Sequence, residues 1–178
     1  MMTRPRFADA THELAIVARN LRDSRAAGDP KMVADGKLTP AQAADRLRVA
    51  DAVAVDWSAY AAMQLPAGAG ATQAEKRDML AGALKVITIR RDRAHAAMLA
   101  ECAWMGQLAI GALWQLVDAH VPQTGRIEPY LHWESYAAAV EALLWWQDRT
   151  GQASKRWSVD ATLWMREQLA AGQGRLAA

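Results

Sequence analysis

The stretch FADATHELAIVARNLRDSRAAGDPKMVADGKLTPAQAADRLRVADAVAVDWSAYA, Phe7 to Ala61, decides the fold. Apolar or small residues recur in its first half at Phe7, Ala10, Leu14, Val17, Leu21 and Ser24. In its second half they recur at Ala43, Leu47, Ala50, Ala54, Trp57 and Ala61, again at spacings that alternate between three and four. A repeat of about 3.5 residues keeps one seam of a helix turned toward a partner, so the two halves are predicted to fold back as an antiparallel helical hairpin. Gly28-Asp29-Pro30 is predicted to stop the first helix near Ala27, because glycine just past a helix end and proline shortly after it are ordinary stop signals. Pro30 to Gly36 then reads as a single helical turn. Thr39, Pro40 and Gln42 mark the second helix start, with Thr39 as N-cap, Pro40 at the first helical position and Gln42 completing a capping box.

The second helix carries another apolar row beside its seam, at Val49, Val53, Trp57 and Tyr60. A helix in a two-helix hairpin needs one buried stripe, so a second stripe predicts a further contact, from the C-terminal part of the chain or from another subunit. The alanine-rich seam points the same way, since small residues allow close approach but bury little area each. An isolated hairpin of this size is marginal.

Composition supports an all-helical reading. The 178 residues are 52% hydrophobic and rich in alanine, the strongest helix former, with eight Trp beside one Phe and three Tyr. Net charge is +2, and no third of the chain holds a basic excess of the kind a duplex-binding surface needs. The single cysteine, Cys102, excludes an intramolecular disulfide and a multi-cysteine metal site, and its apolar neighbours predict a buried thiol. The N-terminus has no apolar run of signal-peptide length, which predicts a cytoplasmic protein.

Leu65 to Thr72, with Pro66, Gly68 and Gly70, reads as a linker. The expected organisation is therefore a helical hairpin over residues 1–63, a linker over 64–72 and a Trp-rich helical bundle over 73–178. Thr72 and Glu75 form a second capping box, and Val86-Ile87-Thr88-Ile89, the only markedly β-branched run, is predicted helical because helix formers flank it. Ala103 to Val117 contains only Gln107 and Gln115 as polar residues. The run is shorter than the roughly 20 residues a membrane span needs, so it is predicted to be the central core helix, with no membrane involvement. Gln123 to Pro129 reads as a polar loop and Glu134 to Asp148 as a helix ended by Thr150-Gly151. Ser158 is expected to cap a last helix.

The residues offer little chemistry. His12, His95, His120 and His132 are dispersed without a metal-ligand spacing, and no nucleophile motif or phosphate loop is present, so no metal, cofactor or catalytic residue is expected. Two features stand out. Arg90, Arg91 and Arg93 form the densest basic cluster, read either as a solvated helix face or as a phosphate- or partner-contacting patch. Seven of the tryptophans fall between Trp104 and Trp164, read either as core residues filling gaps among alanines or as an aromatic surface. Neighbours on a helix point about 100° apart, so Trp145 and Trp146 are not expected to share one narrow seam.

Glu13 to Ile16, Arg19, Arg22, Pro30 to Val33, Gly36 to Pro40, Ala44, Arg46-Leu47 and Ala52-Val53 together resemble a helical-hairpin motif of small uncharacterised bacteriophage and prophage proteins. The chain departs from that pattern with Asp29 in place of the usual tyrosine and Met32 in place of tryptophan. The resemblance covers about a quarter of the chain and implies a phage or prophage setting. The expected function is that of a non-catalytic accessory protein that self-associates as a homo-oligomer and binds a protein partner of host or phage origin, such as a defence component. Val49, Val53, Trp57, Tyr60, Trp145 and Trp146 are the expected partner-binding residues. The alternative is a nucleic-acid or nucleotide binder using Arg90, Arg91 and Arg93 with surface tryptophans.

Overall fold

The computed structural model describes residues 4–64, 66, 70–121 and 124–148, and within them the chain is all-helical. Helix α1 spans Thr11–Ala34, α2 Pro40–Ala61, α3 Gln73–Glu101, α4 Ile110–Asp118 and α5 Ile127–Asp148, with short 3-10 turns at Ala103–Gln107 and Thr124–Arg126. The expected final helix, its Ser158 cap, the Thr150-Gly151 stop and Trp157 and Trp164 lie outside the described residues.

α1 and α2 form the predicted hairpin. Both capping boxes are present: Thr39 Oγ1 accepts from the Gln42 amide at 3.1 Å while Gln42 Oε1 accepts from the Thr39 amide at 2.8 Å. Thr72 and Glu75 repeat the arrangement at the start of α3, at 3.2 and 2.6 Å. The predicted stop at Gly28-Asp29-Pro30 is not one, because α1 continues through it to Ala34. Proline inside a helix costs a hydrogen bond, and here a tertiary contact holds the backbone in place. The Asp29 carboxylate is buried and accepts two bonds from Arg46 of α2, from Nε at 3.0 Å and from Nη2 at 3.3 Å. The stop falls at Gly36 instead, at φ +70°, where the amides of Gly36 and Lys37 bond back to Val33 and Met32 at 3.0 and 2.8 Å. α2 and α4 end the same way, with Met63 (φ 57°) and His120 (φ 51°) in the left-handed region that glycine favours.

The chain divides into two compact units, Met1–Ala81 with Ala139–Ala178, and Gly82–Ala138. This differs from the division expected at the 64–72 linker. Thr72 begins α3, and the first turn of α3 is fastened to α2 by charge, so the hairpin and the start of α3 belong to one unit. Unit 1 has large aromatics inside. Trp57 and Tyr60 pack edge to face at 5.4 Å, Trp145 and Trp146 at 5.0 Å, and buried Trp146 Nε1 donates to the Ala8 carbonyl at 2.9 Å.

Unit 2 is built on an antiparallel pair, the C-terminal part of α3 and the N-terminal part of α5. Arg90 meets Trp133, His95 meets Tyr130 and Glu101 meets Arg126, in opposite chain directions. Its core is small: Met98, Met105, Leu113, Ile127 and Leu131, with Cys102 and others partly buried around them. The predicted central core helix is broken here. The chain leaves α3 at Cys102, makes a 3-10 turn, extends at Leu108-Ala109 and only then forms the nine-residue α4. At the turn, Gly106 comes close to Leu99 of α3, and a Cβ there would sit 2.7 Å from Leu99 Cδ2, so a larger residue would have to push the end of that side chain aside. The expected loop at Gln123–Pro129 is likewise shorter than read, since α5 starts at Ile127 and carries Pro129 in its first turn, where no helical amide is needed.

Candidate functional site

The six expected partner-binding residues are buried. Val49, Val53, Trp57 and Tyr60 of α2 and Trp145 and Trp146 of α5 all lie in the interior of unit 1, so none of them forms a surface open to a partner. The second apolar row of α2 does mark a third contact, as its width required, but it is met within the chain. α5 is covered on more than one side in this unit, with Val140, Ala142, Leu143 and Gln147 also buried, which is how two neighbouring tryptophans are both enclosed.

Beside that row stands an ion pair with no counterpart in the sequence reading. Lys76 Nζ donates to Asp56 Oδ2 at 2.6 Å, with the lysine 2% and the aspartate 4% exposed. Burial pushes the Asp56 carboxyl above its ordinary range, and the bond and charge of Lys76 pull it back only in part. One residue earlier on α3, Glu75 accepts from the Thr72 backbone and from Arg48 Nη2 of α2 at 2.5 Å, and is held down to about 2, with the backbone bond as the largest cause. Arg48 also reaches Asp45 and the Gly70 carbonyl. The first turn of α3 is thus clipped across α2 on both sides. Further out, Arg77 bonds Asp148 at 2.6 Å and Gln73 bonds Gln147. This network is structural: its groups are spent on one another, and among the described residues no group of three His, Cys, Asp or Glu side chains is placed to hold a metal ion.

Large apolar side chains are exposed in both units, Ile16 and Val55 in unit 1 among them, but the exposed tryptophans and the arginine cluster lie in unit 2. Helical geometry splits the arginine cluster, since successive residues turn by about 100°. Arg91 turns away from the other two and bonds Asp92 at 2.8 and 2.9 Å. Arg90 lies over the Trp133 ring, 5.0 Å from its centroid, a cation–π contact. Arg93 is exposed and has no hydrogen bond, ion pair or ring contact among the described residues. Trp133 also sits against His132 and Tyr136, at 5.0 and 6.1 Å, so the aromatic group on α5 is continuous.

Two tryptophans are set outward. Trp104 in the 3-10 turn is 55% exposed and Trp114 on α4 is 42% exposed, while Met105 and Leu113 beside them face inward. On α3, Val86 and Ile89 are 51% and 45% exposed. Trp104 and Trp114 belong to the tryptophan set for which an aromatic surface is one of the two sequence readings, whereas the sequence marks Val86 and Ile89 only as part of a β-branched helical run. The period of α4 does hold a signal, because Leu113, Leu116 and Val117 occupy one face and leave Trp114 with Gly111 and Gln115 on the other. Among the described residues no helix is long and apolar enough to cross a membrane. Compared with protein families, curated proteins and solved structures, the chain has no significant match.

Proposed function

We propose that this is a non-catalytic accessory protein of phage or prophage setting that self-associates and binds a protein partner, with unit 2 as the part that does so. The observation that carries the reading is the exposure of Trp104 and Trp114 in a unit whose own core is made of Met, Leu and Ile. Tryptophan left in water beside an apolar core is the residue type that anchors protein interfaces, because it buries a large area at small entropic cost. The setting comes from the hairpin resemblance between Glu13 and Val53. Light scattering across a concentration series tests the self-association: the wild-type protein forms a defined oligomer, and Trp104→Ala with Trp114→Ala returns it to a monomer. A wild-type protein that stays monomeric throughout overturns it.

A second reading, binding of single-stranded nucleic acid or nucleotides, is favoured by the Arg90–Trp133 pair, since a ring stacked by a cation on α3 resembles the platforms on which bases stack. It predicts quenching of tryptophan fluorescence by oligothymidylate at low salt, lost steeply as salt rises. Unchanged fluorescence removes it.

A further inference from the structure

The outward face of α3 in unit 2 carries more than its arginines. Between Gly82 and Ala100, the residues within about 140° of one helix side are Gly82, Lys85, Val86, Ile89, Arg90, Arg93, Ala96, Ala97 and Ala100, at 100° per residue. Every one of them is exposed. The strip is about 27 Å long at 1.5 Å per residue. It holds three cations and no acid, since Asp92 lies beyond its edge and is bonded to Arg91. Lys85 and Arg93 have no partner among the described residues, and Arg90 is fixed at the rim by Trp133. The centre is apolar, with Val86 and Ile89 one turn apart and small residues after them.

We infer that this strip docks an acidic amphipathic helix of a partner protein, with Val86 and Ile89 receiving its apolar side chains and Lys85 and Arg93 pairing with its carboxylates. This rests on the proposed role in protein binding and names the chemistry of the partner. Charge complementarity selects the occupant. A second copy docking through the same strip would set cations against cations, which opposes pairing. The chain's own residues 149–178 are also basic, with Arg149, Lys155, Arg156, Arg166 and Arg175 against Asp160 and Glu167, so they do not complement it. A nucleic-acid backbone would satisfy the cations but leave two β-branched aliphatic side chains facing phosphate. A helix with aliphatic anchors flanked by glutamates satisfies both.

The test uses the full chain and three probes: a helix-stapled peptide with leucines at i, i+3 and i+7 flanked by glutamates, the same peptide with lysines in place of the glutamates, and oligothymidylate. Fluorescence anisotropy is expected to show binding of the acidic peptide and not of the basic one. Lys85→Glu with Arg93→Glu should weaken the acidic peptide roughly tenfold or more and bring in the basic one. Val86→Ala with Ile89→Ala should weaken the acidic peptide while leaving the thermal melt unchanged. Absence of binding, equal binding of both peptides, or indifference to the charge reversal overturns the inference. Oligothymidylate that binds and displaces the acidic peptide also overturns it, in favour of nucleic acid. Oligomers that depend on Trp104 and Trp114 are read by light scattering without the peptides, so failure here leaves that reading standing, and its failure leaves this one.

Discussion

Unit 1 and unit 2 use the same residue types in opposite places. In unit 1 the tryptophans Trp57, Trp145 and Trp146 are enclosed and the charges brace helix against helix: Asp29 with Arg46, Asp51 with Arg22, Glu75 with Arg48 and Asp56 with Lys76. In unit 2 the core is Met, Leu and Ile, while Trp104 and Trp114 face water and, among the described residues, the cations of α3 have no carboxylate partner except for Arg91. Among the described residues, unit 1 encloses its tryptophans and leaves only the aliphatic Ile16 and Val55 as large apolar side chains in water, whereas unit 2 leaves Trp104 and Trp114 there beside Val86 and Ile89. Composition alone does not separate a core tryptophan from a surface one, and the arrangement of the neighbours does.

The largest effects should break this contrast if it is wrong. Trp146→Ala removes a buried ring and its bond to Ala8, and is expected to cost about 3–5 kcal/mol in urea denaturation, whereas Trp114→Ala, measured at a protein concentration low enough to keep the chain monomeric, should stay within about 0.5 kcal/mol. Equal costs would mean that α4 is as enclosed as α5. Nearly as large is Lys76→Met, which leaves the Asp56 charge buried and unpaired, at about 3–5 kcal/mol. Asp56→Leu combined with Lys76→Met should recover most of that loss, because two apolar side chains of similar size remove both desolvation costs.

The two carboxylates that clip α3 to α2 differ in sign, and acid titration sharpens that point. Glu75 is lowered to about 2 from 4.5, so its contribution is present above pH 4.5 and is lost as pH falls toward 2. Asp56 is raised, so its linkage runs the other way: it favours the folded state as pH falls and loses that contribution as pH rises through the folded value. Glu75→Gln should therefore flatten the loss of stability between pH 4.5 and 2 seen by circular dichroism, and Asp56→Asn should remove a gain on acidification that lies above pH 3.8 and is complete there. Identical acid limbs in the three proteins would refute both assignments.

The smallest expected effect is one on which the units agree. Met63 ends α2 in unit 1 and His120 ends α4 in unit 2, both at positive φ. Met63→Gly and His120→Gly should each stabilise by about 0.5 kcal/mol, the relief of left-handed strain being partly offset by the freer unfolded chain. A gain at one site only would place strain in one unit and not in the other.

The legible parts of the fold were those decided within a few residues. Thr39 with Gln42 and Thr72 with Glu75 are capping boxes because the groups that bond are three positions apart, and Val86 to Ile89 is helical because its flanks are. The stop at Gly28-Asp29-Pro30 was misread because the residue that holds Asp29 is Arg46, on the other helix. The apolar run from Ala103 to Val117 does not reveal where it breaks, since its residues are apolar on both sides of the 3-10 turn and of the extended Leu108-Ala109. For the candidate site, Arg90, Arg91 and Arg93 could be singled out, but their separation into a stacked, a bonded and a free side chain depends on Trp133 and Asp92.

Hydrophobic period, caps and alanine content therefore determined on their own that this chain is helical, that α1 and α2 pair as a hairpin and where α2 and α3 begin. Those are local hydrogen-bonding and steric effects, complete within a turn or two. Only the tertiary structure decided that the Val49, Val53, Trp57 and Tyr60 row is interior, that Trp104 and Trp114 are not, and that Lys76 is neutralised by Asp56. Burial and pairing are sums over neighbours from distant parts of the chain, and a face wide enough to be buried looks the same in sequence whether its cover comes from within the chain or from a partner.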